Sequence, residues 1–309
     1  MPARLPLAAQ RLVVVTGKGG VGKSAVAAAL ARAAAKAGRR VLAVEVGAGR
    51  LGALLGGALG AEPRPLGPRL AAATIEPEAA LADFVLSVLK LRVLARRLLE
   101  STSFQVLAAA APGLPEFLVL HRLSTWLDAR RLGRFVYDLV VVDAPATGHS
   151  LPLLAAPRAL GALAHVGPVA ERLSSIGRRL ADPTATLVCL VTTPEELAVR
   201  ETVDLHRELA GRLGLPVAPP IVNALPPRRF TAADVAALAR LETNAPAHPY
   251  LAAARLELAR RREAAAQVAV LRRSLGTPVR LPFLYGGPES DGGLARLSAE
   301  LALAAGLAA

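Results

Sequence analysis

One stretch constrains this chain more than any other: V-V-V-T-G-K-G-G-V-G-K-S, from Val13 to Ser24. Arg11–Thr16 is a short, nearly continuous apolar run and reads as a strand buried on both faces. Ser24–Ala37 is alanine-rich and reads as a helix stopped by Gly38. A second buried strand, Arg40–Val46, follows. The unit is strand, glycine-rich turn, helix, parallel strand, and it implies an α/β fold with a mostly parallel sheet covered by helices on both faces. Glycines in the turn let several backbone N–H groups converge on one anion, and the helix behind them adds the positive end of its dipole. The chain has four lysines, at 18, 23, 36 and 90, and two of them stand five residues apart in this turn.

The rest of the chain fits one elaborated domain over residues 1–309, long enough to bury a large core with 53% apolar residues. Gly47–Arg69 reads as irregular. A first helical insertion is expected over about 70–135, mostly helical from Pro77 to Leu132 with a break at Ala111–Pro115, and a second over about 151–182. Tyr137–Asp143, Thr186–Thr192, Pro216–Asn223 and Thr277–Leu281 read as strands, and helices are expected from Pro194 to Leu213 and from Gly292 onward. The net charge of +13 is carried almost wholly by arginine in an Ala- and Leu-rich composition, and no aromatic residues interleave the basic runs, so it reads as a solvated surface without a specific nucleic-acid partner. No leader and no long uncharged apolar run is seen, and a cytoplasmic protein that is not integral to a membrane is expected. The single cysteine, Cys189, cannot form an internal disulfide or a cysteine-only zinc cage, and His121, His149, His165, His206 and His248 lack ligand spacing, so no zinc is expected.

Gly17–Ser24 fits G-x-x-x-x-G-K-[ST] in its strand-to-helix setting. Gly17, Lys18, Gly19, Gly20, Val21, Gly22, Lys23, Ser24 and Ala25 are therefore candidate nucleotide-binding positions. Lys23 would place a point charge on the β/γ-phosphates, and the Ser24 hydroxyl suits Mg²⁺. The extra Lys18 makes the loop resemble the deviant Walker A signature of the P-loop NTPase class that includes the ParA/MinD positioning ATPases and the ArsA/GET-type ATPases. Asp143–Leu151, "DAPATGHSL", is similar to the second switch of the ArsA/GET branch (arsenite-pump and tail-anchored-protein targeting ATPases), with three interior residues changed. "TTPEELAVRET" (Thr192–Thr202), "PIVNALPP" (Pro220–Pro227) and "RLPFLYGG" (Arg280–Gly287) resemble further segments of that branch.

The resemblance implies a dimeric, slow MgATPase whose nucleotide state drives a conformational change on a protein or membrane-protein client. It implies that Lys18 reaches the partner subunit's phosphates, that Asp143 holds Mg²⁺ through water, and that Gly148 and His149 belong to a mobile switch. It implies that Asn223, Pro282 and Phe283 surround adenine. The first switch departs from the family pattern: Glu45 stands where an aspartate orients the attacking water, and the usual His and Asn are absent, with Arg50 nearby. Lys18 and Glu45 are thus the candidate catalytic residues, and the departure also suits a hydrolysis-weak subunit of a paralogous heterodimer. A ParA/MinD-like positioning ATPase is the other reading. The run Leu81, Phe84, Val85, Val88, Leu91, Leu94 and Leu98, with Lys90, Arg92, Arg96 and Arg97 between, suits either a client groove or a helix packed on its own core.

Overall fold

The structure is a computed structural model, and it describes residues 4–7, 9–47, 49–88, 92–102, 111–161, 167–240 and 248–307. At its centre β1 (Leu12–Thr16) runs between β7 (Leu139–Asp143) and β8 (Thr186–Thr192). Beyond β7 come β2 (Val41–Val46), β4 (Leu70–Ile75) and the edge strand β3 (Arg64–Gly67); beyond β8 come β9 (Ile221–Leu225) and β10 (Val279–Pro282). The order β10-β9-β8-β1-β7-β2-β4-β3 is parallel throughout except for β3, which pairs antiparallel with β4.

The strand residues alternate between two cores, as a sheet covered on both sides requires. Val13, Val15, Ala43, Val141 and Cys189 pack on one side, under α1 (Lys23–Lys36) and α11 (Gly293–Ala304). Leu12, Val14, Val44, Val142 and Leu190 pack on the other, with α5 (Leu114–Asp128), α6 (Thr147–Gly161) and α7 (Pro168–Ala181). The alanines of α1 are almost all buried, and their small side chains let the helix lie close to the sheet and to α11. Each fully buried Val or Leu of these cores contributes roughly 1.5–3 kcal/mol of transfer free energy.

Two stretches differ from their sequence reading. Gly47–Arg69 holds a one-turn helix, α2 (Leu51–Leu55), and the strand β3. The expected helical stretch 70–135 opens instead with β4, six residues paired with the whole of β2, and closes with a two-strand hairpin, β5 (Arg130–Arg131) and β6 (Arg134–Phe135). Its helical part is α3 (Pro77–Val88), α4 (Arg92–Glu100) and α5. α3 packs at home: Val85 is buried, and Phe84 meets the Phe117 and His121 rings of α5 at 5.2 and 5.1 Å. Lys90, Leu91 and His165 lie outside the described residues. The same holds for the side chains of Val88, Arg92, Leu94 and His248.

The C-terminal third adds α8 (Glu196–His206), α9 (Ala232–Arg240) and α10 (His248–Leu275). Among the described residues no helix is long and apolar enough to cross a membrane.

Candidate functional site

The C-terminal ends of β1, β2, β7, β8 and β9 converge on one edge of the sheet, where open α/β sheets place their ligands. The Gly17–Lys23 loop rises from β1 there. Gly17 has φ 146° and lies directly on the backbone carbonyl of Val191, so a side chain at 17 would collide with β8. Gly22 has φ 92°, serves as the N-cap of α1, and would drive a Cβ into the Asn223 amide. Asn223 itself donates from Nδ2 to the Val21 carbonyl at 2.9 Å, so β9 clamps the loop from the side. Val21 and Ala25 are buried and anchor the loop's apolar side, whereas Gly19 and Gly20 are exposed.

The two loop lysines have different surroundings. Lys23 is half-buried at the start of α1 and donates to the Lys18 carbonyl at 3.1 Å. Burial holds its ammonium below the ordinary lysine range, with Asp143 opposing that shift. Lys18 instead turns to Glu201 on α8 and forms an ion pair at 2.9 Å. Glu201 has no sequence signal of its own; it is one of several acids on an exposed helix face.

Two carboxylates stand next to one another across β2 and β7, in register at Glu45 and Asp143. Asp143 is 5% exposed; its Oδ1 is buried without a hydrogen-bond partner, and its carboxyl is hydrogen-bonded to the Ser24 side chain. Burial pushes its pKa up to about 6; the neighbouring Glu45 charge adds to the rise, while Ser24 and Lys23 oppose it. Glu45 is 7% exposed, and its Oε1 accepts the Leu51 N–H at 2.6 Å. Burial raises its pKa, opposed by hydrogen bonds from the Leu51 and Gly49 backbones. Glu45 therefore seats the turn that opens α2, a contact that the sequence did not announce.

Gly148 and His149 are exposed but lie inside the first turn of α6, not in a free loop. That turn touches the Gly17–Lys23 loop: the Thr147 N–H donates to the Gly17 carbonyl at 3.2 Å. Pro282 ends β10, and Phe283 donates its N–H to Leu225 at 2.9 Å, which places both beside the end of β9. Phe283 is 44% exposed and meets Tyr285 edge-to-face at 5.1 Å. Arg50, at the start of α2, pairs with Glu289. Cys189 is fully buried on β8, and burial pushes its thiol up to about 12, so it behaves as a small core residue. Among the described residues no three His, Cys, Asp or Glu side chains group as metal ligands.

The donor set at the loop fits a hard cation beside phosphate: a hydroxyl on Ser24 and an unpartnered buried oxygen on Asp143, with neither thiolate nor imidazole. The glycine nest, Lys23 and the α1 N-terminus fit the phosphates themselves.

Comparison with known proteins gives the family. The model of the anion-transporting ATPase family matches residues 10–166, which carry the loop and both carboxylates. The chain is 35% identical over 257 residues to the ATPase BagA of Mycobacterium tuberculosis, covering 79% of this chain and 73% of that protein. It is 30% identical over 244 residues to an arsenical pump-driving ATPase of Escherichia coli, covering 72% of this chain and 41% of that longer protein. An arsenical pump-driving ATPase of Acidiphilium multivorum matches equally well, at 30% over 244 residues. The family match over residues 10–166 and these relatives mean that the chain belongs to the ArsA/GET-type ATPase family.

Proposed function

We propose that this protein binds MgATP at residues 17–25 and hydrolyses it slowly within a dimer, passing the resulting conformational change to a protein or membrane-protein client in the cytoplasm. The observation that carries the reading is the buried, unpartnered Oδ1 of Asp143 beside Ser24 and Lys23 at the mouth of the glycine nest. Backbone N–H groups from Gly19 to Ser24 would cradle the phosphates, and Lys23 would neutralise the β/γ oxygens. Ser24 would ligate Mg²⁺ directly and Asp143 through water; the ion's contribution is to neutralise charge on the transferred group. Asn223, Pro282 and Phe283 would flank adenine. Lys18 would leave Glu201 and cross to the partner subunit's phosphates as the dimer closes, a move that a partly exposed ion pair worth about 0–1 kcal/mol does not prevent. Glu45 would orient the attacking water, and the Gly148–His149 turn would respond to loss of the γ-phosphate. Lys23→Ala tests the core of this reading. It removes a half-buried charge facing phosphate, so ATP affinity by calorimetry should fall at least about a hundredfold. Unchanged affinity would refute the site, and tight ATP-dependent DNA binding at physiological salt would favour a positioning ATPase instead.

A second reading has a specific observation behind it. Glu45 already accepts backbone N–H groups from Leu51 and Gly49, which leaves less of its carboxylate to orient water. The chain would then be the hydrolysis-weak member of a heterodimer, and phosphate release would appear only when a paralogous subunit is added.

A further inference from the structure

β5 and β6 are joined by a two-residue turn, Leu132–Gly133, with Arg131 paired to Arg134 across it. Both turn residues have positive φ, 52° and 76°. A hairpin turn of this hand suits Asn-Gly, Asp-Gly or Gly-Gly, and a leucine in its first position is strained. Leu132 is also 97% exposed, more than any other large apolar side chain among the described residues. A single apolar residue on a surface needs no explanation. A leucine that is both strained and wholly exposed, where asparagine or glycine would fit better, has no role inside this molecule. Its setting is basic: Arg130, Arg131 and Arg134 are all exposed. Arg130 donates to the Gly133 carbonyl at 3.2 Å and lies over the Phe135 ring at 4.0 Å, and Arg11 lies over the same ring at 3.4 Å, so the hairpin is braced at its base. Asp128 and Asp138, the acids on either side of the hairpin in sequence, are paired elsewhere, with Arg172 and Arg179 and with Arg40. The hairpin leads into β7 at the end of that strand away from Asp143.

We propose that the β5–β6 hairpin docks this protein on an anionic lipid surface. Leu132 enters the boundary between headgroups and acyl chains, and Arg130, Arg131 and Arg134 lie on the lipid phosphates around it. An apolar tip inside a basic collar favours lipid over nucleic acid: a phosphodiester backbone offers the arginines the same anions but gives Leu132 no apolar layer to enter. Each arginine held near an anionic surface strengthens binding about fivefold, and burial of the leucine about tenfold or more. The sum supports reversible docking and falls far short of a permanent anchor. Because the hairpin and Asp143 stand at opposite ends of β7, docking leaves the Gly17–Lys23 loop uncovered.

The test is co-sedimentation of the full chain, at low ionic strength, with vesicles of phosphatidylcholine alone and of equal parts phosphatidylcholine and phosphatidylglycerol. The parent sediments with the mixed vesicles and not with phosphatidylcholine alone, and the bound fraction falls as salt is added. Leu132→Gly suits the positive φ, so it melts close to the parent while its affinity for the mixed vesicles falls about tenfold. Replacing Arg131 and Arg134 together by glutamine lowers that affinity about fivefold for each charge removed. Leu132→Trp reports contact directly. Trp126, the chain's one tryptophan, is buried, so a blue shift of emission on mixed vesicles comes from the tip. The proposal is overturned if the parent ignores the mixed vesicles, if Leu132→Gly binds them as the parent does, if the double arginine variant binds them unchanged, or if the emission of Leu132→Trp does not move. Duplex DNA bound more tightly than the mixed vesicles at the same salt, and lost with the same arginine pair, would make nucleic acid the occupant and overturn it as well.

Discussion

Glu45 and Asp143 occupy matching positions on neighbouring strands, yet their carboxylates are in opposite conditions. Both are almost fully buried, and burial raises both pKa values. Glu45 is held by its own loop, through the N–H groups of Leu51 and Gly49. Asp143 has one oxygen with no partner and a pKa near 6. The difference separates an acid that shapes the site from one that the site leaves open to a new ligand. A carboxylate that is buried and unsatisfied lowers the stability of the empty protein, and a bound cation removes that penalty.

The largest effect should come from Asp143. Asp143→Ala removes the open oxygen and the Ser24 contact together, and Mg²⁺-dependent ATP affinity should fall about ten- to hundredfold, read by calorimetry with and without Mg²⁺. The sign of the pH effect follows from the raised pKa. The folded value of about 6 lies above the ordinary aspartate value, so the empty protein favours the protonated form. Ionisation of Asp143 therefore costs stability progressively as pH rises from about 4 to about 6, by up to roughly 3 kcal/mol in total, and below that window the cost disappears. Magnesium-nucleotide binding, which needs the ionised form, should weaken as pH falls below about 6, and Asp143→Asn should flatten both profiles. A parent protein whose Mg²⁺-dependent affinity is the same at pH 5 and pH 7.5 would break the contrast with Glu45.

The next effect is on turnover. Glu45→Gln keeps the side chain's shape and an oxygen that can accept from Leu51, so the first-switch turn survives and melting should change by no more than about 1 kcal/mol. If the carboxylate also orients water, phosphate release should drop tenfold or more while ATP stays bound, because positioning dominates phosphoryl transfer. Parent-rate hydrolysis in Glu45→Gln would leave Glu45 a loop anchor and nothing else.

How far the sequence foretold this contrast depends on the element. β1, β2, β7 and β8 were legible because each is a short apolar run, and the glycine loop because its spacing is tied to phosphate geometry. β4 was not. Its residues, Leu70–Ile75, include three alanines and follow a Gly- and Pro-rich stretch; β-branched residues come only at its end, Thr74 and Ile75, no alternation marks it, and pairing along all of β2 makes it a strand. β3 contains Pro65, which suits an edge strand and hides it from a propensity reading. The resemblance named Glu45 and Asp143 as switch acids but could not tell the satisfied one from the open one. That distinction lies in which backbone N–H groups fold back within reach. Glu201 is hidden for the same reason: it sits on a helix rich in charge, and only packing brings it to Lys18.

The smallest expected change is the most discriminating. Gly49 lies against the Glu45 side chain, and a Cβ there would stand 2.8 Å from Cδ and 3.2 Å from Cγ, inside normal contact. The obstacle is the far end of a side chain, so Gly49→Ala should be relieved by a shift of the carboxylate and should cost about 1 kcal/mol of stability, at the low end for overpacking. Unlike Glu45→Gln, it keeps the charge and changes only where that charge sits. ATP affinity should stay within about twofold of the parent, since no phosphate or Mg²⁺ contact is touched. If Glu45 positions water, a displacement of this size should still slow phosphate release severalfold, so both variants should turn over more slowly than the parent although only Glu45→Gln removes the charge. If Glu45 only seats the turn into α2, Gly49→Ala should lower the melting temperature and leave turnover at the parent rate. Single-turnover phosphate release on both variants, measured beside their melting curves, separates the two roles of one carboxylate.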